Sequence, residues 1–242
     1  MVTPPAPSDP NDLIAALPRR QQAALLSACE PAELLLGEVL CEAGKRSRYA
    51  YFPHNALISQ VASLDGHKPL DMGLIGRDGM LGATVLLGVG EVPLRALVQS
   101  PGIAMRIPVQ RLRRELRHSP GLRRMLGRYL YLRLLELSLT TACTRFHQID
   151  QRLARLLLLT DDRVRTGSFH LTHKVLSDML GVRRSGVTVA AGALQAAGVI
   201  GYSRGDVTIL DRAALESASC ECYGKLNGRR DQLQPRSQRG QP

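Results

Sequence analysis

The sequence has 242 residues, enough for one or two domains, and 44% of them are hydrophobic, which excludes a chain that is disordered throughout. Its formal net charge of +11 indicates an anionic partner such as nucleic acid, an anionic membrane or an acidic protein. The five cysteines are scattered and odd in number, which argues against a disulfide framework. The first residues do not resemble a secretory signal, and no apolar run reaches the roughly 18 residues of a membrane span. We therefore expect a cytoplasmic protein with no membrane partner.

The first half of the sequence is predicted to be rich in β-strands. Residues 1–11 are rich in proline and are predicted to be disordered. One or two short helices follow, and then apolar runs of about five to eight residues alternate with turn residues such as Gly44, Gly66 and Gly102. This regular spacing predicts that residues 12–118 form a β-sandwich or jelly roll.

Residues 119–146 are predicted to form one long helix with Pro120 in its first turn. Two rows of residues run along it at helical spacing, and a helix that is apolar on two sides needs two packing partners. The first row consists of Leu122, Met125, Tyr129, Leu132, Glu136, Leu139 and Cys143, and the second row consists of Leu126, Leu130, Leu134, Leu137 and Thr141. One partner is the β-rich segment, and the other is either a second copy of the chain or a further part of the same chain. We expect a dimer, and the carboxylate of Glu136 then requires a partner.

The following segment has the pattern of a helix-turn-helix with a trailing hairpin. The pattern predicts helices over 173–180 and 183–197, joined by a turn at 181–182. The strands "VIGYS" and "VTIL", connected by residues 204–206, complete a winged helix.

Two further boundaries follow from this pattern. Residues 147–218 are predicted to be one DNA-binding domain. Residues 219–242 contain few apolar side chains and several basic ones, and they are predicted to be a flexible basic tail.

The start of the second helix is the predicted DNA-reading surface. It opens with Arg183 and Arg184 and continues with Ser185, Gly186 and Thr188, where a surface helix would prefer stronger helix formers. The N-terminal residues of a recognition helix face the base edges, where arginine can donate two hydrogen bonds to guanine. A glycine inside a helix costs roughly 1 kcal/mol relative to alanine, and we attribute its presence to clearance for the groove.

Further candidates for contact with DNA surround this helix. Thr172 is predicted to cap the first helix and to bring backbone N–H groups toward a phosphate, and Lys174 and Arg204 are placed for phosphate contact. The complete predicted DNA-binding set is Thr172, His173, Lys174, Arg183, Arg184, Ser185, Thr188 and Arg204.

The stretch "LTHKVLSDMLGVRRSGVTVAAGALQAAGVI", followed by "GDVTILDRAAL", resembles the winged helix-turn-helix of the Crp/Fnr family of bacterial transcription regulators. The rest of the chain agrees with that family in order. The resemblance implies an α+β protein with an N-terminal jelly roll similar to a cyclic-nucleotide-binding domain, a long dimerisation helix at 119–146 and a C-terminal winged helix-turn-helix. It also implies a homodimer on a palindromic operator.

The resemblance carries over to the DNA-reading helix only in part. Arg184 stands where the family commonly places an arginine that reads guanine. Ser185 replaces a glutamate that in many members accepts from cytosine, and Val189 replaces a second base-reading arginine. We therefore expect a different operator sequence. Val189 either touches a thymine methyl group or is buried.

The sensor region departs further from the family pattern. Gly82 is followed by Ala83, where cyclic-nucleotide binders carry a glutamate for the ribose, whereas Arg95 and Ala96 resemble the phosphate-binding end of the cassette. Gly82, Arg95 and Ala96 are therefore the candidate effector-binding residues, and we do not expect cyclic AMP as the effector.

No metal or cofactor is predicted. An iron–sulfur cluster needs about four cysteine ligands gathered together, and only Cys29 and Cys41 lie in the first part of the chain. The pair Cys220 and Cys222 could bind a metal or sense redox state, but a single C-x-C is nonspecific, and we predict two free thiols.

The sequence thus predicts a homodimeric transcription regulator that reads a palindromic operator in double-stranded DNA through the helix at 183–197. An effector of unknown identity and RNA polymerase are further candidate partners. The alternative is a small-molecule-binding regulatory module whose winged helix binds protein. No G-x-S-x-G motif, P-loop or paired histidine motif is present, so no catalytic residues are assigned and an enzyme is not expected.

Overall fold

The computed structural model describes residues 10–66 and 69–233 of the chain. Its N-terminal part contains two short helices and seven strands. The helices are α1 (Asp12–Ala15) and α2 (Arg19–Ser27), and the strands are β1 (Glu30–Leu34), β2 (Val39–Cys41), β3 (Tyr49–Pro53), β4 (Leu57–Ala62), β5 (Leu70–Ile75), β6 (Arg95–Ser100) and β7 (Gly102–Pro108). No helix in the described ranges is long and apolar enough to span a membrane.

The strands form two antiparallel sheets, one in the order β1-β7-β3 and the other in the order β2-β6-β4-β5. Alternate residues of the first sheet face opposite sides, as the period of a strand requires. On one side Tyr51 packs with Ile58 and Val98 of the second sheet, and on the other Phe52 and Ile107 pack against helices. The predicted β-rich sandwich is therefore confirmed.

Two helices, α3 (Val109–His118) and α4 (Pro120–Phe146), follow β7 and connect the sandwich to the rest of the chain. A short 3-10 helix (Ala83–Leu87) lies within the sandwich sequence, before β6. Ser119 caps α4 by accepting a hydrogen bond from Leu122 N at 3.2 Å. With 27 residues, α4 is about 40 Å long.

The two residue rows of α4 differ in burial. Six of the seven residues of the first row are buried, and Leu139 is half-buried. In the second row Leu126 is buried, Leu130 and Leu137 are half-buried, and Leu134 and Thr141 are exposed. One face of α4 is thus covered by its own chain, while the other becomes exposed toward the C-terminal end.

The C-terminal part is a winged helix-turn-helix. It comprises α5 (Ile149–Val164), β8 (Ser168–His170), α6 (His173–Leu180), α7 (Arg184–Ala196), β9 (Ile200–Ser203), β10 (Asp206–Ile209) and α8 (Arg212–Ala218). The strands pair antiparallel in the order β8-β10-β9, so the wing has a third strand that the sequence pattern did not predict. Leu57 and Leu74 of the second sheet join the apolar core of this part.

The predicted flexible tail over 219–242 is wrong for the part that the structure describes. A helix, α9 (Cys222–Leu233), packs against α4. Tyr223 and Leu226 are buried, and the Tyr223 hydroxyl donates to Asp162 Oδ2 at 2.9 Å. A few apolar residues on one face suffice for this docking, because α4 and α5 supply the complementary surface. Residues 234–242 lie outside the described residues.

The predicted disorder of residues 1–11 concerns mainly residues 1–9, which lie outside the described residues. Asn11 does not fit that prediction, because it is buried and caps α1. Its amide nitrogen donates to Pro53 O at 2.8 Å and to Gly79 O at 2.9 Å, which satisfies its polar atoms.

Glu136 has the partner that its place in an apolar row requires. Arg163 Nη2 donates to both of its carboxylate oxygens at 2.9 Å, and Arg133 Nη1 donates at 2.7 Å. Arg163 also pairs with Asp78 at 3.3 Å, and Arg230 of α9 pairs with Asp78 at 3.0 Å. Burial by itself would raise the pKa of Glu136, but Arg163 and Arg133 outweigh it and hold that pKa at about 2.

Candidate nucleic-acid interface

Helices α6 and α7 begin and end within one residue of the predicted helices. The turn between them is made by Gly181, whose φ of 64° is a left-handed conformation that glycine adopts without a steric penalty. Leu176 of α6 and Val187 and Leu194 of α7 are buried in the core between and beneath the helices. This packing holds α7 with its opposite face toward solvent.

The exposed surface at the start of α7, here called the exposed α7 face, includes Arg183, Arg184, Ser185, Thr188 and Val189. Arg183 is the N-cap residue and Arg184 opens the helix, so both cations lie at its N-terminal end. The side chain of Val189 is 73% exposed, which excludes the alternative that it is buried. The exposed α7 face therefore combines two cations, two hydroxyl groups and one apolar side chain, and all five are accessible to a partner.

His173 lies beside this face and is held by its neighbours. Its ring stacks on the ring of Tyr202 with centroids 4.5 Å apart, and its Nδ1 is 3.1 Å from the hydroxyl of Thr188. Burial, and then the positive charge of Arg184, lower the pKa of His173, so that its ring is neutral at neutral pH. The Thr188 hydroxyl is thus held between this neutral ring and the backbone oxygen of Arg184, to which it donates at 3.1 Å. Tyr202 supports the His173 ring by stacking, and its own hydroxyl donates to Leu171 O at 2.7 Å. The sequence pattern does not predict this supporting role of Tyr202.

The predicted phosphate-contacting residues lie at the start of α6 and at the turn between β9 and β10. Thr172 caps α6, with its Oγ1 accepting from Val175 N at 3.3 Å. Lys174 is exposed and pairs with Asp178 at 2.7 Å, an exposed ion pair of the kind that contributes little to stability and can be exchanged for a phosphate. Arg204 is exposed at the wing turn, where its φ is 51°.

The structure gives a different reason for Gly186 from the one expected. A Cβ at this position would lie 3.0 Å from Ile149 Cδ1, so the residue faces α5 rather than a groove. The explanation by clearance for DNA is wrong, because α5 crosses close to α7 at this point. The small residue permits that approach.

The three candidate effector residues lie apart from α7, in the β-rich part. Gly82 has a φ of 93° and precedes the 3-10 helix, and a Cβ there would lie 3.1 Å from that of Ala50. Arg95 opens β6 and pairs with Glu42 at 3.4 Å, while Ala96 is fully buried. The assignment of these residues to effector binding stays a prediction.

These features define the class of the molecule: a β-rich domain, a long helix and a winged helix-turn-helix with an exposed cationic helix. A family model described as the Crp-like helix-turn-helix domain matches residues 151–218. The chain thus contains a Crp-like helix-turn-helix domain, as its resemblance to the Crp/Fnr family indicated. A comparison with curated protein sequences finds no match.

Solved structures show the same fold over most of the chain. FixK2 from Bradyrhizobium japonicum is 15% identical with a TM-score of 0.69, covering 79% of this chain and 98% of its own. The c-di-GMP-responsive global regulator CLP from Xanthomonas campestris is 16% identical with a TM-score of 0.64, covering 79% and 99%. A CRP-family transcriptional regulator from Thermus thermophilus is 20% identical with a TM-score of 0.62, covering 80% and 96%. The chain therefore has the fold of Crp/Fnr-type transcription regulators.

Proposed function

We propose that this protein is a cytoplasmic, homodimeric transcription regulator that binds a palindromic DNA operator through α7, and we assign it no catalytic activity. The observation that carries the proposal is the exposed α7 face. It presents Arg183 and Arg184 to solvent at the N-terminal end of a helix whose opposite side packs into the core. An arginine at the start of a recognition helix can read guanine in the major groove.

The remaining residues of the proposed interface position the protein on the DNA and do not read the base sequence. Thr172 and Lys174 at the start of α6 and Arg204 at the wing turn are suited to phosphate groups, which orient a protein on the duplex. The formal net charge of +11 adds an attraction that weakens as the salt concentration rises. Val189 is exposed and apolar, which suits contact with a thymine methyl group.

The proposed dimer forms through the exposed side of α4. Leu134 is 64% exposed, and Leu130 and Leu137 beside it are half-buried, which leaves an apolar strip that a second copy of α4 can cover. Two winged helices related by the dimer axis would then read half-sites about one helical turn apart.

We assign one function to each of the predicted domains. Residues 12–118 form the effector domain, 119–146 the dimerisation helix and 147–218 the DNA-binding domain. A small-molecule effector, with Gly82, Arg95 and Ala96 as its candidate contacts, would shift the balance between dimer arrangements, and RNA polymerase is a candidate partner on the promoter.

The test is a selection of bound duplexes from a random pool by the purified protein, followed by affinity measurements on the selected site. We expect a palindromic sequence, and we expect Arg184→Ala to weaken binding to it by about 1–3 kcal/mol with unchanged thermal stability. The matched control is Arg20→Ala, which removes an exposed arginine of α2 and should retain the sequence preference.

Two results would overturn the proposal. One is the absence of any sequence enriched over competitor DNA, which would favour a winged helix that binds protein. The other is equal affinity of Arg184→Ala and Arg20→Ala for the selected duplex.

A further inference from the structure

Four metal-ligating side chains meet where the long helix ends. Cys143 lies in the last turns of α4 and His147 is its C-cap, whereas Cys220 and Cys222 lie at the junction of α8 and α9. The ligating atoms of these four residues, here called the Cys3His cluster, all lie within 4.8 Å of one another. Cys143, Cys220 and Cys222 are buried and His147 is half-buried.

We propose that the Cys3His cluster is a tetrahedral zinc site. Cys143 Sγ lies 3.5 Å from Cys220 Sγ, and Cys222 Sγ lies 3.8 Å from His147 Nδ1. Ligands placed tetrahedrally around zinc at about 2.0–2.3 Å are themselves about 3.5–3.8 Å apart. Three thiolates and one imidazole are one of the ligand sets of structural zinc sites.

The orientation of His147 supports the proposal. Its Nε2 lies 2.9 Å from Glu221 Oε2, so the ring nitrogen that faces away from the sulfurs has a carboxylate partner. A ligating histidine generally donates its other ring N–H to such a group, which sets the tautomer and directs the free lone pair at the metal. In this arrangement Nδ1 is the ligating atom, and it is the nitrogen that faces Cys222.

The charge around the cluster also fits a bound metal. Arg155 is buried, and in the described part of the chain its guanidinium forms no ion pair and leaves Nε without a hydrogen-bond partner. Zinc with three thiolates and a neutral imidazole has a net charge of about −1, which would compensate that buried cation.

Two other uses of the same thiols explain less of the geometry. A disulfide between Cys143 and Cys220 would join their sulfurs at about 2.05 Å, but it would leave Cys222 and the Glu221–His147 pair without a role. An iron–sulfur cluster spreads its thiolates around several iron atoms, whereas the four ligating atoms here lie within the span of a single ion.

The position of the site indicates what the metal does. It links the C-terminal end of α4 to the start of α9, and 77 residues separate Cys143 from Cys220 in the sequence. The intervening chain is the winged helix-turn-helix, so the site closes this segment onto the long helix at both of its ends. The site itself does not depend on the proposed DNA-binding function.

The experiment measures metal content in the full-length protein purified under reducing conditions with zinc chloride present, and then dialysed. We expect one zinc ion per chain by elemental analysis. After exchange of zinc for cobalt(II), we expect the intense visible bands of a tetrahedral site and a thiolate-to-cobalt charge-transfer band. Cys143→Ser and Cys220→Ser should lose the ion, while the controls Cys29→Ser and Cys41→Ser, in the β-rich part, should retain it.

A variant that keeps all four ligands guards against misfolding of the cysteine variants. Glu221 is exposed, and we expect Glu221→Gln to fold and to bind zinc about 10- to 100-fold more weakly in a chelator competition. The proposal would be overturned if the reduced protein held no zinc and gave no tetrahedral cobalt spectrum. It would equally be overturned if that spectrum persisted in Cys143→Ser and Cys220→Ser.

Discussion

Small side chains in α7 have two different origins. Ser185 and Thr188 are exposed, and they belong to the surface that we propose meets DNA. Gly186 is half-buried, and its hydrogen atom faces Ile149 of α5. Gly192 lies on the same helix, and a Cβ there would meet no atom within 4 Å. The same departure from good helix formers thus has a packing reason at Gly186, whereas at Ser185 and Thr188 it agrees with the proposed DNA contact.

The two glycines of α7 give a prediction at the residue scale. Gly192→Ala should stabilise the folded state by up to about 1 kcal/mol, because alanine is the better helix former and the new methyl group has free space. Gly186→Ala should gain less, because Ile149 Cδ1 would lie 3.0 Å from the added carbon and must shift. Chemical denaturation of both variants measures the difference, and equal gains would contradict the proposed packing role of Gly186.

Among the elements, α4 is covered by its own chain on only part of its surface. The first residue row of α4 is covered by its own chain, and α9 covers a further part of the helix. The side that includes Leu134 remains uncovered in a single chain. Because an exposed apolar strip of this kind is typical of interfaces, it supports the proposed dimer.

The dimer assignment predicts the effect of a charge on this strip. Leu134→Arg should convert the protein from dimer to monomer in sedimentation velocity at micromolar concentration, because burial of an unpaired guanidinium opposes association. Leu36→Arg is the matched control, since Leu36 is 65% exposed in the turn after β1 and should leave the dimer intact. A wild-type monomer, or a dimer that persists in Leu134→Arg, would refute the assignment.

At the scale of the whole molecule, one buried ion network connects its parts. Asp78 follows the β5 strand of the sandwich, Glu136 belongs to α4, Arg163 to α5 and Arg230 to α9. The network orients the winged helix-turn-helix relative to the β-rich part, because Arg163 contacts carboxylates from both the sandwich side and the long helix. A buried charge in such a network depends strongly on its partners.

The network predicts how stability depends on pH. The Glu136 pKa of about 2 lies below its ordinary value of 4.5, so the ionised carboxylate stabilises the folded state above about pH 4.5, and this contribution is lost as the pH falls toward 2. Glu136→Gln should therefore cost about 3–5 kcal/mol at pH 7, because Arg163 loses its main counter-charge. The difference from wild type should shrink between pH 5 and pH 3.

Denaturation curves of both proteins across that pH range provide the measurement. Glu216→Gln is the control, because Glu216 forms only an exposed pair with Arg212, and its effect should be small at every pH. A difference between wild type and Glu136→Gln that stayed constant from pH 6 to pH 3 would show that Glu136 does not titrate as the network requires.

Elements whose signals are local in the chain can be predicted from the amino-acid sequence. Helical spacing predicted α4, α6 and α7, and the turn at Gly181 with the hairpin after it identified the winged helix. The exposed position of Arg184 followed from the same spacing, because the apolar residues of α7 leave only one face for it.

Features that depend on residues far apart in the chain become visible once the elements are packed together. The sequence alone presents Cys220 and Cys222 as a nonspecific pair, because Cys143 and His147 lie far earlier in the chain. The sequence predicts a flexible tail where α9 lies because the apolar face of this helix is narrow, and the helix is stabilised by the surface of α4. A local pattern records which side of an element is apolar, whereas the partner of that side depends on how the elements pack together.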